Sequence, residues 1–225
     1  MNSNPPGRTL AAALTIAGGW AVLHFRQTPP VDARAVHLSL NPPAGGQFIF
    51  GNSIGGIALS PDGRTAAFVA FHHGITSLWV MDLDGSPATS LPGTRGAAYP
   101  FWSPDNRFIA FFSDGKLRRV EKNGGAPLTI CDVVAWPRGG AWMSDHRILF
   151  GSMIAGLFVV PDSGGTPSSL TTLDTSRGEI SHRWPQVLPG GRFLYFVQSG
   201  NADTQGICAA PFAAPTKTAK LVAGS

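Results

Sequence analysis

Three short segments of this chain carry residue types that can do chemistry, and the first is Gly51-Asn52-Ser53-Ile54-Gly55. It matches the Gly-x-Ser-x-Gly pattern of hydrolase nucleophile elbows, in which a strand leads into the serine and a helix follows it. Here Gly56 and a strand-like run follow at once, so we predict that Ser53 is not a nucleophile. The chain also lacks a phosphate-binding Gly-Lys-Ser/Thr loop, a His-Glu-x-x-His motif and a kinase catalytic loop. We therefore expect no enzyme activity from this chain by itself.

The other two segments contain histidine. His72-His73 would place adjacent imidazoles on opposite faces of a strand, so we expect a solvated pair in a loop and no metal site. His182, Arg183 and Trp184 precede a predicted inner strand, where they could face a ligand. The alternative is that Trp184 packs between strands while His182 bonds to the backbone. No cofactor is predicted.

A repeat supplies the elements that would position these residues. Four times, a hydrophobic strand enters a turn of the form Ser-Pro-Asp-Gly-Arg and leaves it as a second hydrophobic strand. Proline fixes φ at the first corner, and Asp, Asn or Gly tolerates the tighter second corner. The predicted turn residues are Ser60, Pro61, Asp62, Gly63 and Arg64; Ser103, Pro104 and Asp105; Asp145 and Arg147; and Pro189, Gly190 and Arg192.

The spacing of the repeat indicates the fold class. Asp62, Asp105, Asp145 and Gly190 are equivalent positions, separated by 43, 40 and 45 residues, which is the period of propeller blades. We predict an all-β protein: a β-propeller of about four four-stranded antiparallel blades, at 53–95, 96–135, 136–178 and 179–225. Aromatic residues at matching positions are expected to pack between blades. A total of 28 Gly and 19 Pro agrees with strands and turns rather than long helices.

The N-terminal part has a different composition. After a tail at 1–8, residues 9–25 are uncharged and apolar, which predicts a transmembrane helix or signal anchor. A cleaved signal peptide, with a small-residue site at 33–35, is one alternative, and a buried apolar segment is another. Residues 26–52 would form a linker that includes a candidate closing strand.

Charge and cysteine content restrict the partners. The formal net charge is +4, and it falls to +2 once residues 1–35 are set aside. Lysine and arginine do not form a long run, so we expect no nucleic-acid binding. Cys131 and Cys208 fall two predicted blades apart, which favours two separate buried thiols; a disulfide would require close approach of their strands.

The repeat also resembles a known family over almost the whole chain. The segments 57–64, 77–80, 91–94, 99–105, 115–117, 178–185 and 188–192 are similar to the TolB-type, WD-like β-propeller repeats. More narrowly, they resemble the propeller that follows the membrane helix in bacterial membrane-bound eukaryotic-like Ser/Thr protein kinases. Such propellers usually have six or more blades, so four copies suggest an incomplete ring.

The resemblance implies a function as well as a fold. It implies a membrane-anchored propeller that senses an extracytoplasmic ligand or binds a protein, as part of a receptor-type kinase in the bacterial inner membrane. The propeller would then lie on the periplasmic or extracellular side, tethered through residues 9–25. A periplasmic TolB-like envelope accessory is one alternative, and the propeller part of a prolyl-oligopeptidase-type enzyme is another. The kinase domain itself is absent, so no catalytic residue is carried over.

Overall fold

The computed structural model describes residues 40–51, 54–133 and 135–223, and these residues form antiparallel sheets. Seventeen strands and one short 3-10 helix occur in this described part of the chain. The all-β prediction is therefore confirmed, and the strands group into one sheet for each predicted repeat. The predicted membrane segment at 9–25 lies outside the described residues, within which no helix has the length and apolar character to cross a membrane.

In the first sheet, two short strands occupy the inner edge. Its strands are β1 (Gln47–Phe48), β2 (Ala58–Leu59), β3 (Thr65–His72), β4 (Ile75–Asp82) and β5 (Thr89–Ser90). Both short strands pair antiparallel with β3: Phe48 with Ala70, and Ala58 with Ala67. The strand that the predicted linker at 26–52 contributes is therefore β1, which pairs on the inner side of the first sheet. It does not add to the outer edge of the last sheet, as a closing strand would.

The other three sheets each have four strands in sequence order. The second sheet contains β6 (Ala98–Trp102), β7 (Phe108–Ser113), β8 (Lys116–Glu121) and β9 (Leu128–Asp132). The third contains β10 (Pro137–Trp142), β11 (Arg147–Ser152), β12 (Phe158–Pro161) and β13 (Ser168–Ser169). The 3-10 helix at Thr175–Arg177 precedes the fourth, which contains β14 (Glu179–Leu188), β15 (Arg192–Ser199), β16 (Gly206–Pro211) and β17 (Ala219–Ala223).

The repeated turns join the first two strands of each sheet and share one backbone feature. The residue after the aligned Asp or Gly is left-handed in all four copies, which is why small or amide side chains suit it. These residues are Gly63 (φ 69°), Asn106 (φ 61°), His146 (φ 64°) and Gly191 (φ 70°).

Side-chain hydrogen bonds reinforce the first two turns. The Ser60 hydroxyl donates to Asp62 at 2.6 Å and accepts the Thr65 N–H at 2.9 Å. Ser103 makes the same donation to Asp105 at 2.5 Å. The bond from the serine is the main reason that the pKa of each of these two carboxyl groups is lowered.

The third and fourth turns use different chemistry. In the third, the Arg147 guanidinium donates to the Asp145 carboxylate, with Nε at 3.0 Å, and this bond lowers the pKa of Asp145. In the fourth, Gly190 and Gly191 are both left-handed, so the backbone alone makes the reversal. The turn prediction thus holds in geometry for every copy, although the side-chain bonds differ.

Buried aromatic residues fill the space between neighbouring sheets, as predicted. Trp102 of the second sheet donates its indole N–H to the Ala58 carbonyl of the first at 2.9 Å. Trp142 of the third sheet stacks on Phe108 of the second, with ring centroids 6.2 Å apart. Cys131 and Cys208 are both free and buried, which confirms the prediction of two separate thiols.

Candidate functional site

The inner strands of the last three sheets share a bulge at an equivalent position of the repeat. Tyr99 (φ 49°), Gly139 (φ 82°) and Trp184 (φ 49°) are left-handed, and each lies six residues before the aligned turn position of its repeat. The pairing register of the strand shifts around each of these residues. Positive φ is unusual for a bulky aromatic residue, so these bulges impose a specific direction on Tyr99 and Trp184.

The bulges alternate between glycine and an aromatic residue, and the two types fit together. A Cβ atom on Gly55 of the first sheet would lie 2.9 Å from the Tyr99 ring. A Cβ atom on Gly139 would lie 3.1 Å from the Trp184 ring in the same way. A side chain at either position would crowd the aromatic residue and strain a left-handed backbone, so glycine favours the close approach of Tyr99 and Trp184.

Residues from all four repeats meet at a cavity beside these bulges, which we call the central cavity. Its volume is about 260 Å³, and its wall includes Gly55, Tyr99, Gly139, Trp184 and Gln186. The wall is thus made of backbone and aromatic faces. Trp184 lines this cavity, and its role in facing a ligand stays a prediction.

Two arginines stand immediately before the bulges of the third and fourth inner strands. Arg138 and Arg183 are equivalent residues, each seven positions before the aligned turn. Arg138 is 8% exposed, whereas Arg183 is half-buried. Arg183 donates from Nε to the Ser181 hydroxyl at 2.6 Å and from Nη1 to the Gln198 side-chain oxygen at 3.2 Å.

Arg138 has weaker partners than Arg183. Its Nη1 donates to the Pro137 carbonyl at 2.9 Å, and its Nη2 contacts the Met153 sulfur at 3.5 Å. Its Nε is buried and has no hydrogen-bond partner among the described residues. A further hydrogen bond joins Arg138 to the Tyr99 side chain. Thioether sulfur is a weak acceptor and none of these partners is a carboxylate, so no opposite charge compensates the guanidinium for its burial.

The two arginines influence each other and Tyr99. Burial, and then repulsion from Arg138, lowers the pKa of Arg183. Burial raises the pKa of Tyr99, while attraction to Arg138 opposes that rise. Neither arginine has a carboxylate within ion-pair distance in the described part of the chain, so this corner of the molecule carries uncompensated positive charge.

An apolar groove lies beside Arg138, between the second and third sheets; we call it the rim groove. Its volume is about 470 Å³, and Phe112, Val133, Trp136 and Met153 line it together with Arg138. Trp136 is 71% exposed, a high value for an indole. Exposed aromatic residues beside a groove are typical of binding surfaces.

His182 does not face a ligand, which corrects that prediction. It is 2% exposed, with Nδ1 2.7 Å from the Thr171 hydroxyl and Nε2 3.1 Å from the Glu179 carboxylate. Burial lowers the pKa of His182, although Glu179 opposes this, so the neutral imidazole is favoured. The three groups resemble a catalytic relay, but Thr171 is 5% exposed and accepts the Leu157 N–H at 2.8 Å. We assign them a structural role.

The remaining candidate segments are the histidine pair and the Gly-x-Ser-x-Gly segment. His72 contacts His73 with ring centroids 4.0 Å apart and bonds to the Ala44 carbonyl at 3.1 Å, while His73 is exposed. No group of three or more metal-ligating side chains occurs among the residues that the structure describes. Ser53 of the Gly-x-Ser-x-Gly segment lies outside the described residues, and the segment is followed by strand β2.

Comparison with known proteins supports the propeller fold. No family model matches the chain. A candidate TolB from Agrobacterium tumefaciens superposes with a TM-score of 0.62 at 14% identity, over 75% of this chain and 64% of that one. TolB from Acinetobacter baumannii gives a TM-score of 0.57 at 18% identity, over 74% of this chain and 42% of that one. At such identities the likeness shows the fold alone, which is that of a TolB-type propeller.

One curated relative is similar in sequence. An uncharacterized peptidase of Bacillus subtilis, YuxL, is 27% identical over 146 residues, which is 61% of this chain and 20% of that protein. The chain thus spans about a fifth of the length of this relative and less than two thirds of either TolB structure.

Proposed function

We propose that this propeller is a non-catalytic binding domain that holds a protein segment at the rim groove. The observation that carries the proposal is Trp136, an exposed indole above an apolar groove with an under-paired guanidinium at its end. Aromatic side chains and arginine are the residues most often found at the energetic centre of protein interfaces. A cavity of about 420 Å³ also lies beside the repeated turns, but its tryptophan, Trp142, is only 9% exposed.

The binding role has a direct test. The full 225-residue chain would be immobilised and used to select peptides from a displayed random library, and the selected peptides would be measured against variants. Trp136→Ser should weaken binding by about tenfold or more, because the residue supplies a large contact area. Leu128→Ser is the matched control, since Leu128 is 56% exposed on the outer strand β9, away from the groove. Peptides that bind both variants equally well would refute the proposal.

A narrower version places the domain in signalling. We propose that it is the extracytoplasmic sensor part of a membrane-anchored receptor-type Ser/Thr kinase, with residues 9–25 as the anchor. The support is the order of apolar segment, short linker and repeats in the sequence. Sequencing the DNA on both sides of this reading frame tests it: a Lys and a His-Arg-Asp catalytic loop upstream would support it. An unrelated upstream gene would count against it and favour the periplasmic accessory role.

A second candidate function is the propeller part of a peptidase of the prolyl-oligopeptidase type. The likeness to the uncharacterized peptidase YuxL favours this candidate. It requires a hydrolase domain downstream with a nucleophile elbow between a strand and a helix. The same DNA sequence decides between the two candidates, because only one of them places a catalytic domain after the repeats.

A further inference from the structure

We infer that the Arg138 end of the rim groove binds the carboxylate of a peptide whose adjacent apolar side chain occupies the groove. This inference rests on the proposed binding function and specifies the chemistry of the ligand. It is motivated by the partners of the arginine, by the charges around the groove and by the shape of the groove.

The first argument is the incomplete pairing of a buried cation. Arg138 is more than nine-tenths buried, and its hydrogen-bond partners are one backbone carbonyl, one thioether sulfur and the Tyr99 side chain. None of these partners is a carboxylate, and its Nε has no partner among the described residues. Removing a charged group from water is costly unless an opposite charge or strong hydrogen bonds replace the water. Planar guanidinium and carboxylate groups match in a two-bond arrangement, which makes a carboxylate the natural complement.

The second argument is the balance of charge around the groove. Asp114 lies on its wall but pairs with Arg118 at 3.4 Å, and Lys116 pairs with Asp132 at 2.5 Å. These pairs neutralise the side of the groove that belongs to the second sheet. On the other side, Arg138 repels the half-buried Arg183, and no carboxylate of the described residues lies within ion-pair distance of either. An anion at Arg138 would relieve this repulsion.

The third argument concerns the shape and lining of the groove. Phe112 and Val133 form its apolar floor, and Trp136 stands at its open side. Ser113 adds a buried hydroxyl without a partner in the described structure, close to the same wall. A free phosphate would use the cation but leave the apolar surface uncovered, whereas a peptide ending in an apolar residue satisfies both. The combination therefore favours a peptide carboxylate over an inorganic anion.

The test uses three probes and the full chain. Acetyl-Ala-Ala-Leu with a free carboxylate, the same peptide as its C-terminal amide, and inorganic phosphate would each be titrated while the indole signal of Trp136 is followed by NMR. We expect the acid to bind at least about tenfold more tightly than the amide, because one charge-assisted contact distinguishes them. Arg138→Gln should remove this preference, Arg138→Lys should retain part of it, and Arg64→Gln, at an exposed turn position, should not change it.

The outcomes separate this inference from the function on which it rests. Equal binding of acid and amide would overturn the carboxylate site, and so would phosphate binding as tight as that of the acid, or no binding of any probe. Since the first comparison uses the wild-type chain, it remains decisive even if an Arg138 variant fails to fold. Peptides selected by display that bind through Trp136 but not through Arg138 would overturn the inference while leaving the binding function in place.

Discussion

Gly151 of the third sheet lies against the backbone of the fourth sheet, and its replacement by alanine tests the packing that positions both arginines. A Cβ atom on this residue would lie 2.6 Å from the His182 carbonyl oxygen and 3.1 Å from both the Arg138 carbonyl oxygen and the Arg183 Cα. All three neighbours are backbone atoms, so none of them can move away by changing a side-chain rotamer. The sheets themselves would have to separate.

The size of the effect follows from that distance. Restoring an ordinary contact to the His182 oxygen requires a local displacement of about 0.8 Å, and extra methyl groups in packed sites cost about 1–3 kcal/mol. Because backbone must move, we expect the upper end, about 3 kcal/mol of lost unfolding free energy. For a domain of this size, that loss corresponds to a fall in Tm of roughly 6–12 °C.

Thermal and urea unfolding of the full chain would measure the effect of Gly151→Ala. The control is Gly200→Ala, because a Cβ atom on Gly200 would meet no atom within 4 Å and its φ is not positive. That variant should be neutral or slightly stabilising through reduced freedom of the unfolded chain. If Gly151→Ala unfolds within about 0.5 kcal/mol of the control, the two sheets do not pack as described.

Two further substitutions test the buried histidine and the turn backbone. Because the pKa of His182 is lowered in the folded state, the unfolded chain takes up the proton first as the pH falls. This histidine therefore contributes to the free energy of unfolding above about pH 6.5, and that contribution is lost as the pH falls through the folded pKa. Unfolding measured from pH 7.5 to 5 should show a shallower loss for His182→Gln than for wild type, whereas His73→Gln, at an exposed site, should keep the wild-type slope. His146→Gly should raise the free energy of unfolding by about 0.5–1 kcal/mol, because it replaces a left-handed histidine by the residue found at this turn position in the first and fourth copies. The contact with Asp162 that this variant loses is exposed on the histidine side and contributes little. A decrease in urea midpoint for His146→Gly would contradict this account.

The turns show why the fold could be predicted from sequence. Their geometry depends on contacts within five residues, such as the Ser60 hydroxyl on the Thr65 N–H and the left-handed Gly63. Local contacts of this kind leave a recognisable pattern of Ser, Pro, Asp and Gly, and the strands beside them follow from hydrophobic runs. The repeat period then indicated how many sheets to expect.

The site was harder to predict because its contacts are not local. His182 contacts Glu179, the first residue of its own strand β14, and Thr171, which lies on the connection from the preceding sheet. The contact with Thr171 spans eleven residues, and no pattern in the sequence indicated it. The bulges also left no obvious pattern, since glycine occupies one and aromatic residues occupy two others. One signal could have found Arg138: alignment of the repeats places it at the position of Arg183, which the sequence did single out.

That alignment also bears on why the arginines are present at all. The position seven residues before the turn is Ala98 in the second repeat, Arg138 in the third and Arg183 in the fourth. Since the half-buried Ala98 begins the same strand with the same bulge, the fold does not require an arginine there. A guanidinium at this position adds a desolvation cost, and its neighbours compensate for that cost poorly in the case of Arg138. The left-handed turn position recurs in every copy, whereas the residue at this rim position varies between alanine and arginine. An anionic ligand would offset that cost, and the largest effect of replacing Arg138 should therefore appear in ligand affinity rather than in stability.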